Sequence, residues 1–365
     1  YSCDPRFTDN LLTNAVKTNP TLEHIRQTID ASRIIVSTTA SLATHTAIFS
    51  IKHFELAIID EASQILEPNI VGLLAAHNEG EQVIDKFILI GDHKQLPAVV
   101  QQDNNESAAD SPLLEEIHLP NCANSLFERL ILTERAAGRT DFVGTLRKQG
   151  RMHPDIAAFP NTYFYEREQL ECVPLAHQTE PNLPYNEPSE DKTDDFLKAH
   201  RMVFIPSKSC RKPYISEKVN TEEARIVADL VRRLYRQMGT TFDAQKSIGI
   251  IVPYRNQIAM IRKELEQLRL PAIDKISIDT VERYQGSQRD VIIYSFTIQN
   301  RFQLEFLTAN TFVEDGKPID RKLNVAITRA RKQLILTGNE ATLRQNFLFS
   351  KLIDYIEKRG GRTTI

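Results

Sequence analysis

No stretch of this sequence reaches the roughly 18 consecutive apolar residues that a bilayer span requires, and no basic-then-apolar leader opens it. A membrane partner is therefore not expected. Cysteine is scarce: Cys3, Cys122, Cys172 and Cys210 lie far apart, without a Cys-x-x-Cys pair or a histidine cluster. That spacing removes the zinc and disulfide-framework readings and points to a reducing, intracellular setting, cytoplasmic or nuclear. Positive charge is not in excess, since 45 Lys and Arg stand against 48 Asp and Glu, a net charge of −3. Any surface for a polyanion must then be a local groove rather than a uniform coat. Also missing is the phosphate-cradling loop G-x-x-x-x-G-K-[ST]. The one Gly-Lys pair, Gly316-Lys317, is followed by Pro318 and has Thr311 where the first glycine should stand. The chain shows no internal repeat or long low-complexity tract, and it begins on Tyr1 rather than Met, so sequence upstream is expected.

What is present is enough for two domains with cores: 365 residues, 41% of them hydrophobic. Short apolar runs recur at Arg33–Ser37, Glu55–Ile59, Lys86–Ile90, Met202–Ile205, Ser247–Val252, Asp290–Tyr294 and Gln333–Thr337. Between them, Thr221–Met238 and Asn256–Leu268 carry apolar residues at helical spacing. Runs of this kind separated by helices predict an α/β fold with parallel sheets covered on both faces. The proline-rich, acidic segment Glu171–Asp195 reads as a surface loop or insertion, and Gln101–Ser111 as a second loop. The domain boundary is placed near Thr145, giving domains 1–145 and 146–365.

Asp60 and Glu61 directly follow an apolar run, which puts adjacent carboxylates at the carboxyl edge of a parallel sheet, where such folds bind ligands. One could hold Mg²⁺ through its water shell and the other could orient or deprotonate a water; a solvated acidic loop would look the same. Gly91-Asp92 and Gln95-Leu96-Pro97 follow the next run, with Gln95 able to meet a phosphate oxygen or a water. Arg151 and Arg329 sit on turns or helix starts, where an arginine can stabilise charge on a transferring phosphoryl group or lie solvated. Pro253-Tyr254 and Thr280 end further apolar runs and suit contacts to a single-stranded backbone and stacked bases, although packed turns share that pattern. His153, Tyr163 and Tyr165 read as residues that pack or cap locally.

In combination these segments resemble the superfamily 1 helicases, specifically the 5′-to-3′ branch that includes the nonsense-mediated-decay RNA helicase. The likeness runs from about Arg33 to Asn339. Ile58-Ile-Asp-Glu-Ala-Ser-Gln64 is similar to the family's Walker B motif and Gly91-Asp-His-Lys-Gln-Leu-Pro97 to its third motif. Ser125-Leu-Phe-Glu-Arg129, Arg151-Met-His-Pro154 with Phe159-Pro160, Asn220 with Glu223-Ala224, Pro253-Tyr254, Gln285-Gly286 with Asp290, and Leu323-Asn-Val-Ala-Ile-Thr-Arg-Ala-Arg331 continue the motif order.

The resemblance implies two RecA-like P-loop NTPase lobes, the first incomplete at its N-terminus, and the cofactors ATP and Mg²⁺. Asp60 would be the Mg²⁺-linked carboxylate, Glu61 the general base and Gln95 the γ-phosphate sensor. Arg151 and Arg329 would be arginine fingers, while Gly286, Gln288 and Arg331 would serve the nucleotide. Ser37, Thr38, Pro253, Tyr254 and Thr280 would contact single-stranded DNA or RNA. Gly150 stands where the family has a base-stacking Tyr, Gln288 where it has a Glu, and the Walker A region is absent. The implied function is that of an ATP-dependent helicase or translocase whose first lobe is completed by an upstream segment or a partner protein; the segment alone is expected to lack ATPase activity. The alternative is a helicase-derived module that binds nucleic acid or assembles without turnover.

Overall fold

The computed structural model describes residues 5–103, 105–210 and 216–365, so Cys3 lies outside the described residues. Two compact units form, Tyr1–His93 with Pro97–Val143, and Lys94–Leu96 with Gly144–Ile365.

In the first unit, helix α1 (Leu22–Ala31) and helix α2 (Thr39–Thr44) precede strand β1 (Ala57–Ile59). Helix α3 (Glu67–Leu74), strand β2 (Phe87–Leu89) and helix α4 (Leu126–Ala136) follow. Strands β1 and β2 are parallel, with Ala57 opposite Phe87 and Ile59 opposite Leu89. Ser125 starts α4 by accepting a hydrogen bond from the Glu128 N–H at 3.1 Å, and Arg129 grips Glu67 on α3 through two hydrogen bonds of 2.6 and 2.8 Å. Phe49, Ile59, Ile70, Leu73, Val83, Ile84 and Leu126 make the core.

The expected strand at Arg33–Ser37 does not form: the segment joins no sheet, and Ile34 and Val36 are 83% and 91% exposed. A strand's hydrogen bonds belong to its neighbour, so an apolar run with no neighbouring strand stays outside the ladder.

The second unit is built on five parallel strands. Helix α5 (Pro154–Tyr163) leads to β3 (Met202–Pro206), α6 (Thr221–Met238), β4 (Ile248–Ile251), α7 (Arg255–Glu266) and β5 (Ser277–Asp279). Then come β6 (Arg289–Ser295), α8 (Arg301–Leu307), the hairpin β7 (Thr311–Glu314) and β8 (Lys317–Asp320), α9 (Arg321–Ile327) and β9 (Ala330–Gly338). The sheet order is β3-β9-β6-β4-β5.

Strand periodicity sorts the side chains onto two faces. Phe204, Ile292, Tyr294, Leu334 and Leu336 enter one core, while Val203, Ile205, Val291, Ile293 and Ile335 enter the other with the apolar stripe of α6. Burying each such side chain contributes about 1.5–3 kcal/mol, so this sheet is the rigid platform for whatever its edge carries.

Two loops depart from the sequence pattern or add to it. Glu171–Asp195 is not a free surface loop, because Glu171–Cys172 pairs in parallel with Lys148–Gln149 and both Leu183 and Tyr185 are buried in the second core. Apolar residues spaced among the prolines anchor it. Gly316 is a turn residue: Asp315 and Gly316, with φ of 50° and 75°, close the β7–β8 hairpin as Asp-Gly turns do. No helix among the described residues is long and apolar enough to cross a membrane, and Cys122, Cys172 and Cys210 are free thiols.

Candidate functional site

In the first unit, β1 delivers Asp60 and Glu61 to the carboxyl end of a parallel pair, and both carboxylates are exposed. Glu61 takes a left-handed backbone, φ 53°, a conformation that costs a non-glycine residue about 1–2 kcal/mol. Its N–H donates to Asp60 Oδ1 at 2.9 Å, and its Oε2 accepts from Gln64 Nε2 at 2.6 Å. The loop after β2 closes on this turn: the Ala62 N–H donates to the Ile90 carbonyl at 2.8 Å, and the Asp92 N–H to Ser63 Oγ at 3.2 Å. A Cβ on Gly91 would stand 2.9 Å from the Ser63 nitrogen, so glycine is what lets the two loops meet. Thr38 caps α2 by accepting from the Ser41 N–H at 3.1 Å, and the Ser37 hydroxyl donates to the Thr38 carbonyl at 3.3 Å.

The second unit gathers the other candidates. Arg329, only 2% exposed, donates from Nε to the Val325 carbonyl at 3.0 Å and from Nη2 to Thr328 Oγ1 at 3.1 Å and Gln95 Oε1 at 3.2 Å. Arg151 donates to Gln288 Oε1 at 3.0 Å and to the Thr328 carbonyl at 3.3 Å. Thr328 thus links Arg329, which holds Gln95, to Arg151, which holds Gln288, although the four span more than two hundred positions of sequence. Arg331 instead pairs with Asp290 at 2.7 Å, and its carbonyl accepts from the His153 N–H at 2.8 Å. Gly286, at φ 75°, occupies a left-handed turn with open space where a side chain would be.

Gln95 is held in place by its neighbour. Lys94 is buried and donates to the Phe164 carbonyl at 2.9 Å while pairing with Glu168 at 2.8 Å and Glu314 at 2.6 Å. The Lys94 carbonyl accepts from Asn324 Nδ2, which also donates to Tyr165 Oη, each at 2.8 Å. Sequence reasoning gave no role to Lys94, Glu168 or Glu314. They are dispersed along the chain and no local spacing marks them. His153 caps α5, as expected, accepting from the Asp155 N–H at 3.2 Å.

At the carboxyl edge of the same sheet, Pro253-Tyr254 leaves β4 and Thr280 leaves β5, and the Val252 N–H donates to the Asp279 carbonyl at 3.1 Å. Tyr254 is 7% exposed and burial pushes its hydroxyl up to about 12. Its ring stacks on Phe306, centroids 5.4 Å apart and planes 19° apart.

Beneath this edge lies buried Glu223. Its carboxylate accepts from Ser207 Oγ (3.1 Å), Asn220 Nδ2 (3.1 Å), Ser295 Oγ (2.6 Å) and the Thr297 N–H (2.8 Å). Gln257 on α7 extends the network, donating to the Asn220 carbonyl at 3.0 Å and accepting from the Asn220 N–H at 2.9 Å. One buried carboxylate therefore ties the ends of β3 and β6 to the start of α6, and through Asn220 to the helix that follows Tyr254.

A second buried carboxylate, Asp320, caps α9, the helix that leads to Thr328 and Arg329, by accepting from the Leu323 N–H at 2.9 Å. Burial pushes it up to about 6. Because that value lies above the unfolded one, its contribution to stability is full below the unfolded value and is lost as pH rises through 6. Asp320→Asn keeps the cap without the charge. The variant is expected to exceed the parent chain in stability by about 1–2 kcal/mol at pH 8, with the gain shrinking as pH falls from 6 towards 4, in urea unfolding across that range.

Two family profiles, each described as an AAA domain, match residues 11–103 and 122–341. DNA polymerase alpha-associated DNA helicase A of Saccharomyces cerevisiae is 30% identical over 301 residues, covering 80% of this chain and 39% of its own length. The DNA replication ATP-dependent helicase/nuclease DNA2 of Xenopus laevis is 32% identical over 343 residues, 88% of this chain and 28% of its own. An ATP-dependent helicase of Methanocaldococcus jannaschii is 30% identical over 304 residues, 83% and 38% of the respective chains. This chain spans well under half the length of these relatives. The solved structure of the PRRSV helicase aligns with 80% of this chain and 36% of its own at 14% identity and a TM-score of 0.34.

Proposed function

This chain belongs to the AAA-domain family of superfamily 1 helicases, and on that premise we propose that it carries hydrolytic and strand-binding parts of an ATP-dependent helicase or translocase stepping 5′ to 3′ along single-stranded DNA or RNA inside the cell. The observation that carries the reading is that Arg151 and Arg329 both donate to Thr328, while Arg329 also holds Gln95. Two guanidinium groups held on one threonine, one of them also holding an amide, suit charge spread over the oxygens of a transferring phosphoryl group.

In the first unit Glu61 would take a proton from the attacking water, whose oxygen would bond to the γ-phosphorus as the β–γ bridging oxygen leaves with ADP. Among the described residues no group of three or more His, Cys, Asp or Glu side chains is arranged for a metal ion. An exposed single carboxylate such as Asp60 still fits Mg²⁺, which keeps most of its waters and shares substrate phosphates. When bound, the ion would neutralise phosphate charge. Gln288, with Gly286 and Arg331 on either side in sequence, would face the nucleotide as a neutral acceptor for Arg151 where the family uses a carboxylate. Ser37, Thr38, Pro253 and Thr280 would meet the strand, with the buried Tyr254 ring supporting that edge from beneath.

Exposed Ile58, Ile88 and Ile90 suit a further strand or helix, from an upstream segment or partner protein, that would complete the first sheet and bring the phosphate cradle. Without it, the segment is expected to hydrolyse ATP poorly. The test compares the longest natural form with its Glu61→Gln variant in an ATPase assay with and without single-stranded oligonucleotide. Loss of about 10²-fold or more of the stimulated rate, with strand binding intact, is the expected result. Strand binding in a long form with no turnover would instead favour a non-catalytic module.

A further inference from the structure

The ring of Tyr254 has one face against Phe306 and is nearly out of solvent, so the aromatic surface available at this edge belongs to its neighbours. Phe306 is 49% exposed and Phe302, one helical turn earlier on α8, is 81% exposed. Residues four apart on a helix share a face, which puts both rings on one side of α8. Fully exposed phenylalanine costs solubility and contributes nothing to the core.

Cations accompany Phe306 and the rings near it. Lys218 Nζ stands 5.9 Å from the Tyr254 centroid, Lys322 Nζ 4.6 Å from that of Phe306, and the Arg321 guanidinium 4.2 Å from that of Phe312 on β7. Glu305 on the same helix is paired with Arg301 at 3.1 Å, so its charge is locally offset. Lys322 also pairs with Glu282 at 3.5 Å, so it is held beside the Phe306 ring. Rings flanked by cations match a ligand that alternates flat bases with phosphates.

We propose that Phe302 and Phe306 form a base-stacking platform for single-stranded nucleic acid, continuing the edge at Pro253-Tyr254 and Thr280. This rests on the strand-binding part of the function proposed above and adds residues outside the recognised motifs. Stacking on phenylalanine tolerates any base, so the platform grips without reading sequence.

The experiment titrates this chain, Phe302→Ala, Phe306→Ala and Phe302→Tyr into end-labelled oligo(dT) and oligo(U) of about twenty nucleotides, reading anisotropy at several salt concentrations. A 2-aminopurine-substituted strand reports stacking through quenching. Phe302→Ala should weaken binding by about 5–100-fold and reduce the quench, while Phe302→Tyr retains both and the salt slope of Phe302→Ala stays that of the parent, because phosphate contacts are untouched. Parent-like affinity and quenching in both alanine variants would overturn the platform while leaving strand binding in place. A change confined to self-association in those variants would overturn it equally. Absence of oligonucleotide binding by the parent chain would overturn the strand-binding reading itself, and the platform with it.

Discussion

Replacing Arg329 with alanine is expected to lower strand-stimulated ATP turnover of the longest natural form by about 10³-fold or more, the scale on which an arginine finger acts in phosphoryl transfer. The expectation rests on position. Arg329 ends the α9 turn with its Nε on the Val325 carbonyl and its Nη2 shared between Thr328 and Gln95, so the planar group is pre-set before any nucleotide arrives. Arg329→Lys should lose nearly as much, since a flexible ammonium cannot reproduce a fork of fixed donors. Because Arg329 is almost wholly buried, thermal unfolding must accompany the rates. A rate loss with unchanged unfolding assigns the effect to chemistry. Turnover within a few-fold of the parent would remove Arg329 from the proposed hydrolytic set.

Glu223→Ala should destabilise the second unit by about 2–4 kcal/mol at pH 5, from the cavity left and the buried donors that lose their acceptor. Its four donors do not suffer equally. The Ser207 and Ser295 hydroxyls can rotate towards other acceptors, but the Thr297 N–H is fixed by the backbone, and Thr297 already takes a left-handed conformation at φ 56°. Left without an acceptor, that N–H carries its full desolvation cost. Urea unfolding with an unchanged m value checks this, and a shift below about 1 kcal/mol would show that the carboxylate holds nothing in place.

The pH dependence has a definite sign. Burial pushes Glu223 up to about 7, while Ser295, Thr297 and Ser207 pull it down. The folded value lies above the unfolded one, so the folded state binds the extra proton between them. Stability from this group is full below the unfolded value and is lost as pH rises through 7. Glu223→Ala should abolish that part of the decline and leave the smaller part, due to Asp320, which ends near pH 6.

How far the sequence could be read depended on where each signal is stored. Strands β3, β4, β6 and β9 were legible because a strand buried on both faces is an unbroken apolar run, and their sorting into two cores follows from the alternation of side chains. Helix α6 was legible for the same kind of local reason: Asn220 caps it and Gly239 ends it at φ 53°. Ile34-Ile35-Val36 carries an equally strong apolar signal and forms no strand, because β pairing is a property of two segments. Likewise the prolines of Glu171–Asp195 marked irregular backbone correctly, yet could not reveal that Leu183 and Tyr185 are buried in a core.

By itself the sequence determined the α/β class, the strand-end placement of Asp60, Glu61, Pro253, Tyr254 and Thr280, and the failure of Gly316-Lys317 as a phosphate loop. Each of these depends on neighbours a few residues away, where spacing and backbone preference decide the outcome. Only the tertiary structure decided that Thr328 links Arg329 and its partner Gln95 to Arg151 and its partner Gln288, that Lys94 is locked between Glu168 and Glu314, and that Phe306 covers Tyr254. Those contacts join residues up to 234 positions apart, and their energies come from burial and from hydrogen bonds completed between distant segments, which exist once the sheet has brought its strand ends together.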